Sequence, residues 1–136
     1  MRAVRGRGNE STELVLARLL RASGMTGWRR HVELPGRPDF SWREARLAVF
    51  VDGCFWHGCP RCYRPPRKNA SFWREKLAAN RARDRKNSRL LRAAGWRVMR
   101  VWECRVKAAD TIRRIGGALH RSPRPGHLLP GQRGAR

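Results

Sequence analysis

Three cysteines within nine residues constrain this chain more than any other feature of its sequence. The stretch VDGCFWHGCPRC, residues 51–62, contains Cys54, Cys59 and Cys62, and the remaining cysteine is Cys104. Four cysteines allow two disulfides, but cysteines this close together in a chain that we expect to be intracellular favour metal ligation. Four thiolates complete a tetrahedral coordination sphere, so a zinc ion held in this way is structural. We therefore predict one structural Zn²⁺ on these four side chains.

The cysteines lie next to two predicted strands. The segment RLAVFVDG, 46–53, is nearly continuously apolar, which is typical of a buried central strand, and WRVMRVWEC, 96–104, predicts another strand. If these strands are neighbours that run in the same direction, Cys54 and Cys104 meet at one edge of the sheet. A shared metal would then attach the loop after the first strand to the end of the second.

The remaining segments predict a small α/β domain around a mixed sheet. Apolar spacing and turn residues define the elements. In chain order they are a helix of about 12 residues after Asn9, a strand with Asp39 and Phe40, the strand 46–52, a long helix from Ser71 to Ala94, the strand 96–104 and a short closing helix. We expect a single domain over residues 9–120, between a flexible basic arm (1–8) and a disordered tail (121–136).

The charge of the chain points to a polyanionic partner. It carries 32 Lys and Arg against 10 Asp and Glu, a net charge of +22, and phosphate contacts of nucleic acid would relieve this self-repulsion. Residues 61–107 hold sixteen of the basic residues and three acids. A basic packing component, as in a ribosome, is the alternative. No long apolar run or signal-peptide pattern is present, so we expect neither a membrane span nor secretion.

Two aspartates and a histidine are candidates for catalysis. Asp39 and Asp52 stand thirteen residues apart at two predicted strands, and paired carboxylates can hold Mg²⁺ against a scissile phosphate. Both could equally be ordinary strand-end aspartates. His57 is a catalytic base, a zinc ligand that displaces Cys59, or an exposed imidazole; spacing alone leaves these alternatives open.

Three aromatic residues near the cysteines have two interpretations. Phe55 and Trp56 are adjacent, and both cannot be buried if they point to opposite sides of a loop. Side chains of this type can wedge between base steps of a duplex. The alternative is that they cover the zinc site and the core, and Trp73, at the start of the long helix, can also pack inward.

Four segments resemble successive motifs of the very-short-patch-repair (Vsr) mismatch endonucleases, which belong to the PD-(D/E)xK nuclease superfamily. They are LPGRPDF, VDGCFWHGCPRC, FWREKLAANRARDRKNSRLLRAAGW and RVMRVWEC, in this order between about Glu10 and Cys104. The resemblance implies a restriction-endonuclease-like three-layer core, in which helices flank a mixed central sheet and a structural zinc site lies at one edge. It implies a Mg²⁺-dependent enzyme that nicks one strand of double-stranded DNA at T·G mismatches.

The resemblance also assigns roles to individual residues. Asp39 matches the aspartate that binds Mg²⁺, Val51 supplies a backbone carbonyl to the metal, and His57 matches the histidine that activates water. Glu13 supports the active site. The structural zinc is implied on Cys54, Cys59, Cys62 and Cys104, and Phe55, Trp56 and Trp73 match the aromatic residues that intercalate beside the mismatch.

The sequence departs from the pattern of this family at three places. Asp52 replaces a second active-site histidine, and we expect it to bind Mg²⁺ beside Asp39. Cys59 replaces a histidine ligand of zinc, in a loop with one extra residue, and the amino-terminal arm is short. We expect a cytoplasmic, nucleoid-associated monomer. The alternatives are a nuclease of this superfamily with a restriction or defence target, and a non-catalytic zinc-stabilised DNA-binding module.

Overall fold

A mixed sheet of three strands forms the centre of the protein. The computed structural model describes the backbone of residues 2–121 and the side chains of residues 11–121. The strands, in the spatial order β1-β2-β3, are β1 (Phe40–Trp42), β2 (Leu47–Asp52) and β3 (Arg97–Trp102). The helices are α1 (Arg2–Ala22), α2 (Cys54–His57), α3 (Ala70–Ala93) and α4 (Ala109–His120), and a 3₁₀ turn covers Glu103–Arg105.

The central strand β2 is buried along its whole length, as its apolar sequence predicts. It pairs with β3 in parallel, in a register that runs from Leu47 opposite Arg97 to Asp52 opposite Trp102. On its other edge it pairs antiparallel with β1. The prediction that the two strands flanking the cysteines are parallel neighbours is therefore confirmed.

Alternating side chains of β2 feed a different core on each face of the sheet. Leu47, Val49 and Val51 pack into a cluster with side chains of α1 and α4, whereas Ala48 and Phe50 pack into a second cluster with Leu91 of α3. The sheet is thus covered by helices on both sides. Asp52 follows Phe50 on the α3 face, and this direction determines its neighbours in the site.

Three elements differ from the sequence expectations. Helix α1 begins at Arg2, earlier than the predicted helix start after Asn9. Cys54–His57 forms a helical turn, α2, in a segment that was expected to be a loop. The predicted disordered tail lies almost entirely outside the described residues. Within residues 2–121, no helix combines the length and apolar character needed to cross a membrane.

Candidate active site and cysteine cluster

The four cysteines converge beside the ends of β2 and β3. Their sulfur atoms all lie within 4.8 Å of one another, and none of the four forms a disulfide. The Sγ atoms of Cys59 and Cys104 are 3.8 Å apart. Bonds near ~2.3 Å place the sulfurs of a regular tetrahedral zinc site at about this separation. The donor set and its spacing therefore fit zinc.

Backbone contacts hold the cysteine segment in place. Cys54 opens α2 directly after β2, and its N–H donates to Glu103 Oε1 at 3.2 Å, just before Cys104. The N–H of Cys59 donates to the Cys54 carbonyl at 2.9 Å. Gly58 has a φ of 70°, and a Cβ there would lie 2.6 Å from the guanidinium of Arg81. The left-handed φ favours glycine at this position, because other side chains are strained there.

Glu13, His31 and Asp39 form one polar group on the α1 side of the sheet. One ligand atom from each lies within 4.8 Å of the others. His31 Nε2 is 2.9 Å from Glu13 Oε1 and 3.6 Å from Asp39 Oδ1. Arg30 also forms an ion pair with Glu13. Asp39 Oδ2 accepts a hydrogen bond of 2.6 Å from the N–H of Val51, which orients the carboxylate at the end of β2.

The environment of Asp39 disfavours its ionised form. Burial raises the pKa of this carboxyl to about 8, and the neighbouring Glu13 carboxylate adds to the rise, although the hydrogen bond from Val51 opposes it. A cation would compensate the charge that burial disfavours. The chemistry of this group therefore fits a divalent metal, whose binding would displace a proton at neutral pH.

A second polar group lies on the α3 side of the sheet. Its members are Asp52, His57 and Asp84, with ligand atoms within 4.8 Å of one another. His57 Nδ1 is 2.5 Å from Asp84 Oδ2. Burial would raise the pKa of Asp84, but the hydrogen bond and charge of His57 and the charge of Arg100 lower it overall. An ionised Asp84 accepts a hydrogen bond from the Nδ1–H of His57, and when the ring loses its second proton Nε2 is the basic nitrogen.

Asp52 belongs to a different polar group from Asp39, although its charge contributes to the raised pKa of Asp39. It forms an ion pair of 2.9 Å with Arg100, and the Arg100 guanidinium stacks 4.2 Å from the centre of the Phe50 ring. Burial raises the pKa of Asp52, and Arg100 opposes that rise. Strand alternation accounts for the neighbours of Asp52, since it follows Phe50 on the α3 face of the sheet.

A groove of about 600 Å³ adjoins the second group. Asp52, His57 and Asp84 line it, and the rest of its lining is strongly basic. The arginines come from successive turns of α3 and from β3; they are Arg81, Arg85, Arg89, Arg92 and Arg100. Arginines along one wall suit a phosphate backbone, because each guanidinium can contact phosphate oxygens.

The three predicted wedge residues lie together in an aromatic cluster. Phe55 packs against Trp56 at 5.3 Å and against Trp73 at 5.4 Å between ring centres. Both α2 aromatics thus lie on the same side, not on opposite sides of a loop. Tyr63 and Phe72 extend the cluster. Phe55 and Phe72 are 38% and 55% exposed, so the cluster presents apolar surface to solvent.

Sequence reasoning missed several members of these groups. His31, Arg30 and Asp84 carry no motif of their own. Asp84 has one signal, since it is the single acid in the basic stretch RARDRK. Arg100 could not be identified from sequence, because only the strand register places it beside Asp52.

Comparison with known proteins identifies the relationship. The family model for the DNA mismatch endonuclease Vsr matches residues 1–64. The chain is 40% identical over 114 residues to the DNA mismatch endonuclease Vsr of Escherichia coli (strain K12), an alignment that covers 82% of this chain and 72% of that protein.

Two further relatives are nicking enzymes. The type II nicking enzyme V.XorIIP of Xanthomonas oryzae pv. oryzae (strain KACC10331 / KXO85) is 40% identical over 108 residues, which cover 78% of each chain. The type II nicking enzyme V.NaeI of Lentzea aerocolonigenes is 43% identical over 62% of this chain and 50% of its own length. With such identity over most of the chain and of its relatives, the protein belongs to the Vsr family of DNA mismatch endonucleases.

Proposed function

We propose that this protein is a Mg²⁺-dependent endonuclease that nicks one strand of duplex DNA at T·G mismatches, on a restriction-endonuclease-like core. The observation that carries the proposal is the pair of polar groups at the end of β2, with the His57–Asp84 pair opening into an arginine-lined groove. The names of the Vsr and nicking-enzyme relatives support the same reaction. We expect it to act as a monomer inside the cell, on the nucleoid.

Asp39 and the Val51 carbonyl would hold Mg²⁺ in this proposal. The Val51 N–H fixes Asp39 Oδ2, and Oδ1, 3.6 Å from His31 Nε2, would face the cation. Glu13 lies behind it, with its charge compensated by Arg30. When bound, Mg²⁺ neutralises the phosphate and lowers the pKa of a coordinated water.

His57 would accept a proton at Nε2 from the attacking water. Asp84 holds Nδ1 in its protonated state at 2.5 Å, which selects the tautomer whose other nitrogen is basic. Arg100 and the α3 arginines would bind the phosphates that flank the scissile bond. Asp52 orients Arg100, and a direct part of Asp52 in Mg²⁺ binding stays a prediction.

The aromatic cluster would recognise the mismatch. Inserting Phe55, Trp56 or Trp73 into the duplex costs unstacking energy of a few kcal/mol, and a mismatched step costs less than a paired one. This difference is a source of selectivity. The second candidate function is an endonuclease with the same fold that nicks a fully paired target sequence. The relatives that are named type II nicking enzymes favour it.

The first prediction concerns the reaction. Purified protein with Mg²⁺ should nick end-labelled duplexes that carry one T·G pair and leave matched T·A duplexes intact. Asp39→Ala and His57→Ala should each lower the rate by about 100-fold or more, and Asp84→Asn should lower it as well, whereas Asp110→Asn on α4 serves as the control. Nicking of both duplexes would favour the second candidate, and nicking of neither would favour a non-catalytic module.

The second prediction concerns zinc. Metal analysis should find one Zn²⁺ per chain, and Cys104→Ser should lower the melting temperature because it opens a four-thiolate site. The matched control is Ser23→Cys, which adds an exposed thiol in the turn after α1. A zinc content that Cys104→Ser leaves unchanged would contradict the assignment.

The third prediction concerns phosphate contacts. Affinity for a short duplex should fall between ~50 and ~200 mM salt, with a log–log slope of about −0.9 per phosphate neutralised. Arg89→Gln, in the groove, should make the slope shallower by about one such contact. Arg113→Gln, on α4, should leave it unchanged. Equal slopes for all three proteins would exclude the groove as the binding face.

The fourth prediction follows from the pKa of Asp39. A folded-state pKa of about 8 lies above the ordinary value of 3.8, so the metal-free folded chain retains a proton that the unfolded chain releases. The stabilisation that comes from this bound proton is complete below pH 4 and is lost as the pH rises to about 8. The unfolding free energy of the wild type should therefore fall relative to that of Asp39→Asn, by at most about 1.4 kcal/mol per pH unit.

Chemical denaturation at several pH values measures this difference. Added Mg²⁺ should restore the stability of the wild type at pH about 8 and have little effect on Asp39→Asn. Parallel pH dependences of the two proteins would show that Asp39 ionises as it does in an unfolded chain.

A further inference from the structure

His31 places an imidazole in the group that contains Asp39, and the family motifs assign this residue no role. We infer, on the basis of the proposed function, that His31 Nε2 and Asp39 Oδ1 together bind the catalytic cation. An imidazole ligand makes the site favour Mn²⁺ over Mg²⁺, because imidazole suits transition metals and Mg²⁺ prefers oxygen ligands.

The distances in the group suit a single ion. His31 Nε2 is 3.6 Å from Asp39 Oδ1 and 2.9 Å from Glu13 Oε1. Adjacent ligands of an octahedral ion with bonds near ~2.1 Å are separated by about 3 Å. One ion on these atoms would replace the hydrogen bond between His31 Nε2 and Glu13 Oε1.

The backbone around His31 directs its ring toward Asp39. The His31 N–H donates to the Pro38 carbonyl at 3.1 Å, and Arg29 pairs with Ser41 of β1 on the preceding bridge. His31 has a φ of 52°, in the left-handed region that non-glycine residues seldom occupy. Its side chain is 51% exposed, which leaves the ring open to an ion and to a phosphate.

The ion pair of Arg30 determines which residues of the group are available to bind the ion. Arg30 forms an ion pair with Glu13 at the same oxygen that faces His31, so the charge of Glu13 is already compensated. Asp39 and His31 would then bind the ion together with the Val51 carbonyl, and the Glu13 carboxylate would act on it through its charge. Arg30 keeps Glu13 in place when the ion is absent.

The group on the other face of the sheet is a competing imidazole site. There the Arg100 guanidinium contacts Asp52 at 2.9 Å and lies 4.0 Å from Asp84. A cation at that position would meet the positive charge of Arg100. In the group that contains His31, Arg30 forms its ion pair with Glu13 and not with Asp39. A cation beside Asp39 therefore meets less positive charge, which makes this group the better cation site.

Electron spin-echo spectroscopy of Mn²⁺ tests the inference without DNA or turnover. The zinc-loaded full-length protein is titrated with Mn²⁺, and modulation from a coordinated ¹⁴N is recorded. We expect the wild type and His57→Ala to show the nitrogen modulation and His31→Ala to lose it. Mn²⁺ affinity should fall about tenfold or more in His31→Ala, and Mg²⁺ affinity, measured by competition, should fall less.

The controls separate this inference from folding and from the proposed function. His120→Ala, at the end of α4, should behave as the wild type does, and a melting curve shows whether His31→Ala is folded. Nitrogen modulation that survives in His31→Ala and disappears in His57→Ala would overturn the inference. Mismatch nicking is scored separately, so nicking without a His31 signal refutes only the inference, and a His31 signal without nicking refutes only the proposed function.

Discussion

The parallel pairing of β2 with β3 is the interaction on which the rest of the structure depends. Its register sets Asp52 opposite Trp102, so the chain leaves both strands at the same edge of the sheet. Cys54 follows one strand and Cys104 follows the other, and the cysteine cluster forms there. A shift by one residue would exchange the faces of every side chain on a strand and would separate Arg100 from Asp52.

Alternation along β2 then divides the chemistry between the two faces. The Val51 N–H orients Asp39 beside Glu13 of α1, while Asp52 faces Arg100 and shares its group with Asp84 of α3. The carboxylate whose pKa rises to about 8 thus lies on one side of the strand. The histidine–aspartate pair and the arginines lie on the other. A phosphodiester that crosses the end of β2 would meet both groups.

Much of this arrangement could be predicted from local sequence motifs. The sequence predicts the buried strand β2, the long helix α3 and the four-cysteine site. It does so because burial and metal ligation each require particular residue types at particular spacings. The helical turn α2 could not be predicted, because four residues are too few to show the apolar periodicity that distinguishes a helix from a loop. Its formation brings Phe55 and Trp56 to one side, where Trp73 meets them.

The sequence by itself determined that the chain is a basic α/β domain with a four-cysteine cluster and a Vsr-type set of motifs. Only the tertiary structure decided which polar residues act together. Asp39 and Asp52 look alike in sequence as strand-end acids, yet they belong to different groups. His31 and Asp84 join those groups from a loop and from the middle of a helix. The physical reason is that side-chain direction depends on strand register and helix packing, which are set by contacts between residues far apart in the chain.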